Sequence, residues 1–170
     1  MIYVILALLA VFSCFFKLHL TNGSLVIPTS EKLPDYLADY IFWNAVVFAP
    51  FLEEVVFRKY LLGHLKKYLP WWSAIGLSTF CFTMVHEIPQ QRILVIPLGL
   101  ILGFLYYKTN KLRYCIFLHF CNNFLVFSLL KWPDFFVFEP IYLAISSITF
   151  VGMAFFISLF WLINYLDKKN

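Results

Sequence analysis

Six long runs without a charged residue make up most of this 170-residue chain, and they constrain its fold more than any other feature. The runs cover residues 1–16, 40–52, 68–85, 93–107, 114–130 and 140–166. An α-helix needs about 20 mostly apolar residues to cross the hydrocarbon core of a bilayer. We therefore predict an all-α, polytopic integral membrane helix bundle with about six transmembrane helices, formed by residues 1–170 as a single membrane-embedded domain.

The composition excludes several other classes of protein. Hydrophobic residues make up 62% of the chain and charged residues only 13%, whereas about half of a soluble domain is apolar. A separate soluble domain is therefore excluded. The net charge of +4 is explained by basic cytoplasmic loops and needs no nucleic acid partner. All four cysteines lie in apolar runs, without the paired spacing of a zinc or redox site.

The distribution of Lys and Arg predicts the orientation of the bundle. Nine basic residues fall in the second loop, the fourth loop and the C-terminal tail, and four fall in the first, third and fifth loops. Cytoplasmic loops of membrane proteins carry the excess of Lys and Arg. We therefore expect both termini to be cytoplasmic, and we expect the long first loop, residues 18–39, to be external or partly interfacial.

Two of the uncharged runs are short for a bilayer. The second run continues directly through Glu53, Glu54 and Arg58, so polar side chains are expected at membrane depth. The fourth run, residues 93–107, contains Pro97, and we expect this span to be short or kinked.

Ionisable side chains in a membrane are costly and usually functional. The candidates within or near the spans, with one amide, are Glu53, Glu54, Arg58, His86, Glu87, His119 and Asn123. Glu54 and Arg58 are four residues apart, and a simple structural ion pair explains both. Adjacent helical residues point about 100° apart, so Glu53 needs a different partner on another helix.

Helix geometry brings several of these residues to similar depths. If the chain turns at Pro70, Glu53 lies 17 residues before the turn and His86 lies 16 after it, so both stand about 25 Å from the tip at 1.5 Å per residue. His119 and Asn123 are four apart and share one helix face. A carboxylate, two imidazoles and an amide can provide a base for water and donors for an oxyanion. Each histidine, taken alone, is also compatible with a purely structural role.

The ordered motifs resemble those of the CPBP family of intramembrane proteases. The matching residues, in chain order, are Glu53-Glu54-x-x-x-Arg58, Phe82-x-x-x-His86 and His119-x-x-x-Asn123. This family includes type II CAAX prenyl proteases and bacterial proteins linked to bacteriocin processing and self-immunity. The resemblance covers a core of about residues 40–130.

The resemblance implies a role for each catalytic candidate. Glu53 would be the general base that activates water, and His86 would position that water. His119 and Asn123 would stabilise the oxyanion.

The remaining motif residues are supporting candidates. Glu54 and Arg58 would fix their helix, and Phe82 would be either a wall of the site or plain core. The family has been described both as metalloproteases and as metal-free glutamate proteases, and we favour the metal-free mechanism with no cofactor. The alternative zinc ligands are Glu53, His86 and His119. The His86-Glu87 pair does not form the HExxH motif of zincins, because Gln90 replaces its second histidine.

The motifs and the composition are compatible with three functions. The first is an intramembrane endopeptidase that acts on a membrane-anchored protein or peptide. Its other partner is the lipid bilayer, and no nucleic acid partner is expected. Prenylated substrates are eukaryotic and this compact chain has a bacterial character, so we expect a bacterial cytoplasmic membrane. The alternative is a non-catalytic bacteriocin-immunity or partner-binding membrane protein. A proton-coupled transporter is disfavoured, because the sequence has no inverted repeat.

Overall fold

The computed structural model describes residues 2–20, 35–87, 89–131 and 165, and the regular structure in these ranges is helical. The predicted sixth run lies outside the described residues except for Tyr165, and so does most of the first loop. We number the helices α1 (Ile2–Leu20), α2 (35–65), α3 (Trp71–Met84), α4 (Pro89–Thr109) and α5 (Leu112–Lys131).

Helix α2 is continuous but alternates between α and π geometry. Its segments are Asp35–Ile41 (α), Phe42–Phe48 (π), Ala49–Glu54 (α), Val55–Leu62 (π) and Gly63–Leu65 (α). A π turn is bonded from residue i to residue i+5, and such turns frequently occur at functional sites. Glu53 and Glu54 therefore lie in a short α segment between two wider turns, and the helix continues through Arg58 as predicted.

Two turns connect the helices that carry the candidate residues. The chain turns at Pro70 between α2 and α3, as predicted, and Asn110, with a φ of 53°, lies in the turn between α4 and α5. Asn tolerates this left-handed conformation better than most residues. The Lys66 Nζ donates to the Asn110 Oδ1, so these two basic turns lie at the same end of the bundle.

Helix α4 corrects one expectation. It has 21 residues and includes both Pro97 and the charged residues Arg92 and Lys108, so at 1.5 Å per residue it is about 30 Å long. Of the two expectations for this span, the short one is wrong, because charged residues at both ends extend the helix beyond the uncharged run; the kink at Pro97 stays a prediction. Arg92 also donates from Nε to the His86 carbonyl oxygen at 2.8 Å, which ties the start of α4 to the end of α3.

Length and hydropathy identify two membrane-crossing candidates in the part of the chain that the structure describes. These are Asp39–Leu65 in α2 and Gln91–Thr109 in α4. Helices α1, α3 and α5 coincide with three further predicted spans. The total of six spans and the cytoplasmic position of the termini stay predictions.

The bundle has polar groups inside and large apolar groups outside. Buried polar side chains are Glu54, Arg58, Ser78, Thr79, Thr83, His119, Asn122 and Ser128. The large apolar side chains that are more than half exposed include Trp43, Phe48, Phe51, Leu52, Trp72, Phe80 and Ile93. Exposed apolar surface of this extent is unusual for a soluble monomer and is suited to contact with lipid. A buried apolar cluster that includes Leu6, Leu9, Leu102, Leu105 and Leu118 joins α1, α4 and α5.

Two glycines allow α3 and α4 to pack closely. A Cβ atom added to Gly99 would lie 2.7 Å from the Thr79 Cγ2, and one added to Gly103 would lie 2.9 Å from the Ile75 Cγ2. Small residues four apart let the backbones of membrane helices approach each other. This close contact places α4 against the face of α3 that carries Thr79.

Candidate active site

The two adjacent glutamates of α2 have different environments. The Glu54 side chain is completely buried, whereas the Glu53 side chain is 26% exposed. Because neighbouring residues point about 100° apart on a helix, one carboxylate faces the packed interior while the other stays accessible. A general base that activates water needs such access.

A buried ion pair holds Glu54. The Arg58 Nε lies 3.3 Å from the Glu54 Oε2, and the Arg58 Nη2 donates to the Gly99 carbonyl oxygen at 3.4 Å. The guanidinium carbon lies 4.6 Å from the centre of the Phe82 ring, in a cation–π contact. Arg58 therefore connects α2 to both α3 and α4.

His119 of α5 contacts both glutamates. Its Nδ1 lies 2.9 Å from the Glu54 Oε1, and its Nε2 lies 3.6 Å from the Glu53 Oε2. Helix geometry offered His86 of the neighbouring helix as the partner of Glu53, whereas the contact that the structure shows is with His119 of α5. His119 also contacts Glu54, because the two nitrogens of an imidazole point in different directions.

The contact with Glu54 determines the role of each His119 nitrogen. A carboxylate beside Arg58 accepts hydrogen bonds, so the hydrogen in the 2.9 Å contact belongs to the His119 Nδ1. The Nε2 is consequently the nitrogen that faces Glu53. His119 is 2% exposed, so this arrangement is held within the bundle and not at its surface.

Phe82 is the common neighbour of the two histidines. Its ring centre lies 5.2 Å from that of His86 and 5.7 Å from that of His119, in edge-to-face geometry. The His86 Nδ1 donates to the Phe82 carbonyl oxygen at 3.1 Å, because a carbonyl can only accept. In the neutral imidazole, the Nε2 of His86 is then an acceptor. Phe82 is fully buried.

Asn123 contacts α2 through its amide. Its Nδ2 donates to the Ala45 carbonyl oxygen at 2.8 Å, and its Oδ1 accepts from the Asn122 Nδ2 at 2.9 Å. The sequence argument selected only Asn123. Asn122 is completely buried, and the signal that could have identified it is the Asn-Asn doublet within an apolar run.

The structure brings most of the candidates into one connected group. Contacts join Glu53, Glu54, Arg58, Phe82, His86 and His119 across α2, α3 and α5. Asn123 lies one helical turn beyond His119 and contacts the first π segment of α2.

The surroundings of the alternative zinc ligands bear on the choice between a metal-dependent and a metal-free site. Within residues 2–20, 35–87, 89–131 and 165, no three His, Cys, Asp or Glu side chains are arranged to hold a metal ion. One nitrogen of His119 is bonded to Glu54 and one nitrogen of His86 to a carbonyl. Metal-bound histidines make the same kind of bond with their second nitrogen, so these two bonds are compatible with either mechanism.

Comparison with known proteins gives two matches. Residues 38–125 match the family model described as "Type II CAAX prenyl endopeptidase Rce1-like". Over 77 residues the chain is 31% identical to a protein of Bacillus subtilis (strain 168) named "Putative membrane peptidase YdiL". That match covers 45% of this chain and 32% of the relative, so the chain spans about a third of the relative's length. No solved structure matches.

Proposed function

The chain belongs to the Rce1-like family of type II CAAX prenyl endopeptidases, a CPBP protease family of membrane proteins, and on this premise we propose that it is an intramembrane endopeptidase. The proposed reaction is hydrolysis of a peptide bond in a membrane-anchored protein or peptide. The observation that carries the proposal is the partly exposed carboxylate of Glu53 beside His119, which the buried Glu54 holds in place.

The proposed chemistry consumes one water molecule per bond. Glu53 removes a proton from water as the water oxygen attacks the substrate carbonyl carbon, and the carbonyl electron pair moves to oxygen. When this tetrahedral intermediate collapses, the carbon–nitrogen bond breaks. The protonated Glu53 returns its proton to the leaving amine, so the carboxylate is regenerated.

Two side chains of α5, Asn123 and His119, are the assigned donors of the proposed oxyanion site. An amide nitrogen carries two hydrogens, and Asn123 uses one of them for the Ala45 carbonyl. We assign the second to the oxyanion, together with the Nε2 of His119, which donates a hydrogen when the imidazole carries a hydrogen on both nitrogens. We assign His86 to holding the attacking water, the role that the family resemblance implies; its Nδ1 hydrogen is bonded to the Phe82 carbonyl of its own helix.

We propose a metal-free, glutamate-type mechanism without a cofactor. The observation in its favour is that, among the residues the structure describes, no three His, Cys, Asp or Glu side chains are grouped to hold a metal ion. Zinc held by Glu53, His86 and His119 is the alternative that a chelator experiment tests.

The proposed partner is a membrane-anchored substrate. Mostly apolar side chains of α1, α2 and α5 line a groove of about 760 Å³. Phe51 and Leu52, which precede Glu53, and Phe120, which follows His119, are among its lining residues. An apolar anchor lying in this groove would bring the adjoining peptide close to Glu53. The bacterial relative supports a bacterial cytoplasmic membrane as the location.

Non-catalytic immunity or partner binding is the competing function, although both matched descriptions name peptidases. The two functions are distinguished by incubating the reconstituted protein with a library of membrane-anchored peptides and identifying products by mass spectrometry. We expect Glu53→Gln to abolish cleavage while retaining the shape of the side chain.

Asp39→Asn is the matched control, because it makes the same carboxylate-to-amide change at an exposed position of α2. It should cleave like the wild type. Equal cleavage by Glu53→Gln and Asp39→Asn would contradict the proposed function.

A further inference from the structure

The backbone carbonyl of Ala45 has no donor from its own helix at the expected positions. In an α-helix the donor would be the N–H of residue 49, and in a π-helix that of residue 50. The Ala49 N–H donates to the Asn44 carbonyl, and Pro50 has no N–H to donate. The Asn123 Nδ2 donates to the Ala45 oxygen at 2.8 Å. The side chain on α5 therefore replaces a helical hydrogen bond that Pro50 removes.

This carbonyl determines which way the Asn123 amide points. A carbonyl oxygen only accepts, so the Nδ2 must face α2 and the Oδ1 must face away from Ala45. The Asn122 Nδ2 donates to that Oδ1 at 2.9 Å. Rotating the amide by half a turn would place two acceptors together at Ala45 and two donors together at Asn122. Both ends of the Asn123 amide are therefore held in one orientation.

We propose that Pro50 and Asn122 are positioning residues for Asn123. Pro50 leaves the Ala45 carbonyl for the Nδ2 to bind, and Asn122 holds the Oδ1. The second Nδ2 hydrogen of Asn123 then keeps one fixed direction, which is the direction of the oxyanion in the proposed reaction. Neither residue touches a reacting atom, and the inference rests on the proposed function.

A double-mutant cycle tests the role of Asn122. Asn122→Leu keeps a similar volume but removes the donor, and we expect kcat to fall at least about tenfold with KM unchanged, because a misdirected oxyanion donor weakens only the transition state. In an Asn123→Ala background, Asn122→Leu should cause no further loss of kcat. An equal loss in both backgrounds would mean that Asn122 acts through the fold, and would overturn the inference.

A second variant tests the role of Pro50. Pro50→Ala restores an N–H that competes with Asn123 for the Ala45 oxygen, so we expect a lower kcat without a lower Tm. Pro97→Ala, which makes the same change within α4, is the control and should leave kcat near that of the wild type. Wild-type kcat in Pro50→Ala would contradict its assigned role.

Side-chain amide exchange gives a readout that needs no substrate. In asparagine-¹⁵N-labelled protein, with signals identified by Asn123→Ala, we expect slow exchange of the Asn123 amide hydrogens and at least about tenfold faster exchange in Asn122→Leu. Unchanged exchange would overturn the inference. Cleavage that survives Glu53→Gln would refute the proposed function but would leave this exchange result standing, so the two failures are distinguishable.

Discussion

His119 makes the most informative contacts at the scale of single residues, because its two nitrogens face different carboxylates. An asparagine at position 119 can place its amide nitrogen where the imidazole Nδ1 lies, but its side chain is too short to reach the position of the Nε2. We expect His119→Asn to retain the bond to Glu54 and a Tm close to that of the wild type, while kcat falls at least about 100-fold. A matching loss of Tm would show that the residue acts mainly through packing.

The buried pair of Glu54 and Arg58 predicts a strong effect on stability. Arg58→Met leaves the Glu54 carboxylate buried without its cation, and we expect the free energy of unfolding to fall by about 3–5 kcal/mol. Adding Glu54→Leu should recover part of this loss, since no uncompensated charge then remains. Thermal unfolding in detergent measures both variants. A double variant less stable than Arg58→Met would contradict the assigned pairing.

At the scale of helices, the glycines of α4 determine how closely it approaches α3. Gly99→Ala would place a Cβ atom 2.7 Å from Thr79 and 3.2 Å from Phe82, so α4 must shift and carry the Arg58 contact with it. We expect a clear decrease in Tm and in cleavage. Gly76→Ala is the matched control, because nothing lies within 4 Å of its added Cβ. A Tm for Gly99→Ala equal to that of Gly76→Ala would contradict this packing.

Sequence reasoning succeeded where spacing along one helix decides the contact. The pairing of Glu54 with Arg58 and the turn at Pro70 follow from chain geometry alone. It failed where backbone register decides the contact. The π segments of α2 arise from the combined path of the helix, and only that path shows that the Ala49 N–H is bonded to Asn44 while Pro50 lacks an N–H. Neither the shared partner of the glutamates nor the contact between Asn122 and Asn123 could therefore be predicted.

At the scale of the whole molecule, orientation in the membrane is the testable property. The basic turns at Lys66 and Asn110 are joined, which agrees with placing the second and fourth loops on one side. We expect a cysteine added at either terminus to react with a membrane-impermeant thiol reagent only from the cytoplasmic side, after native cysteines are replaced. Labelling of either terminus from outside would contradict the predicted cytoplasmic position of both termini.

The central claim is that Glu53 activates water without a metal ion, and single-turnover cleavage of one anchored peptide tests it most directly. Wild type and Glu53→Gln are compared with and without a strong chelator. The account predicts equal rates for wild type with and without chelator and a loss of at least about 100-fold for Glu53→Gln in both conditions. Loss of wild-type cleavage with chelator that zinc restores, or cleavage that survives Glu53→Gln, would contradict it.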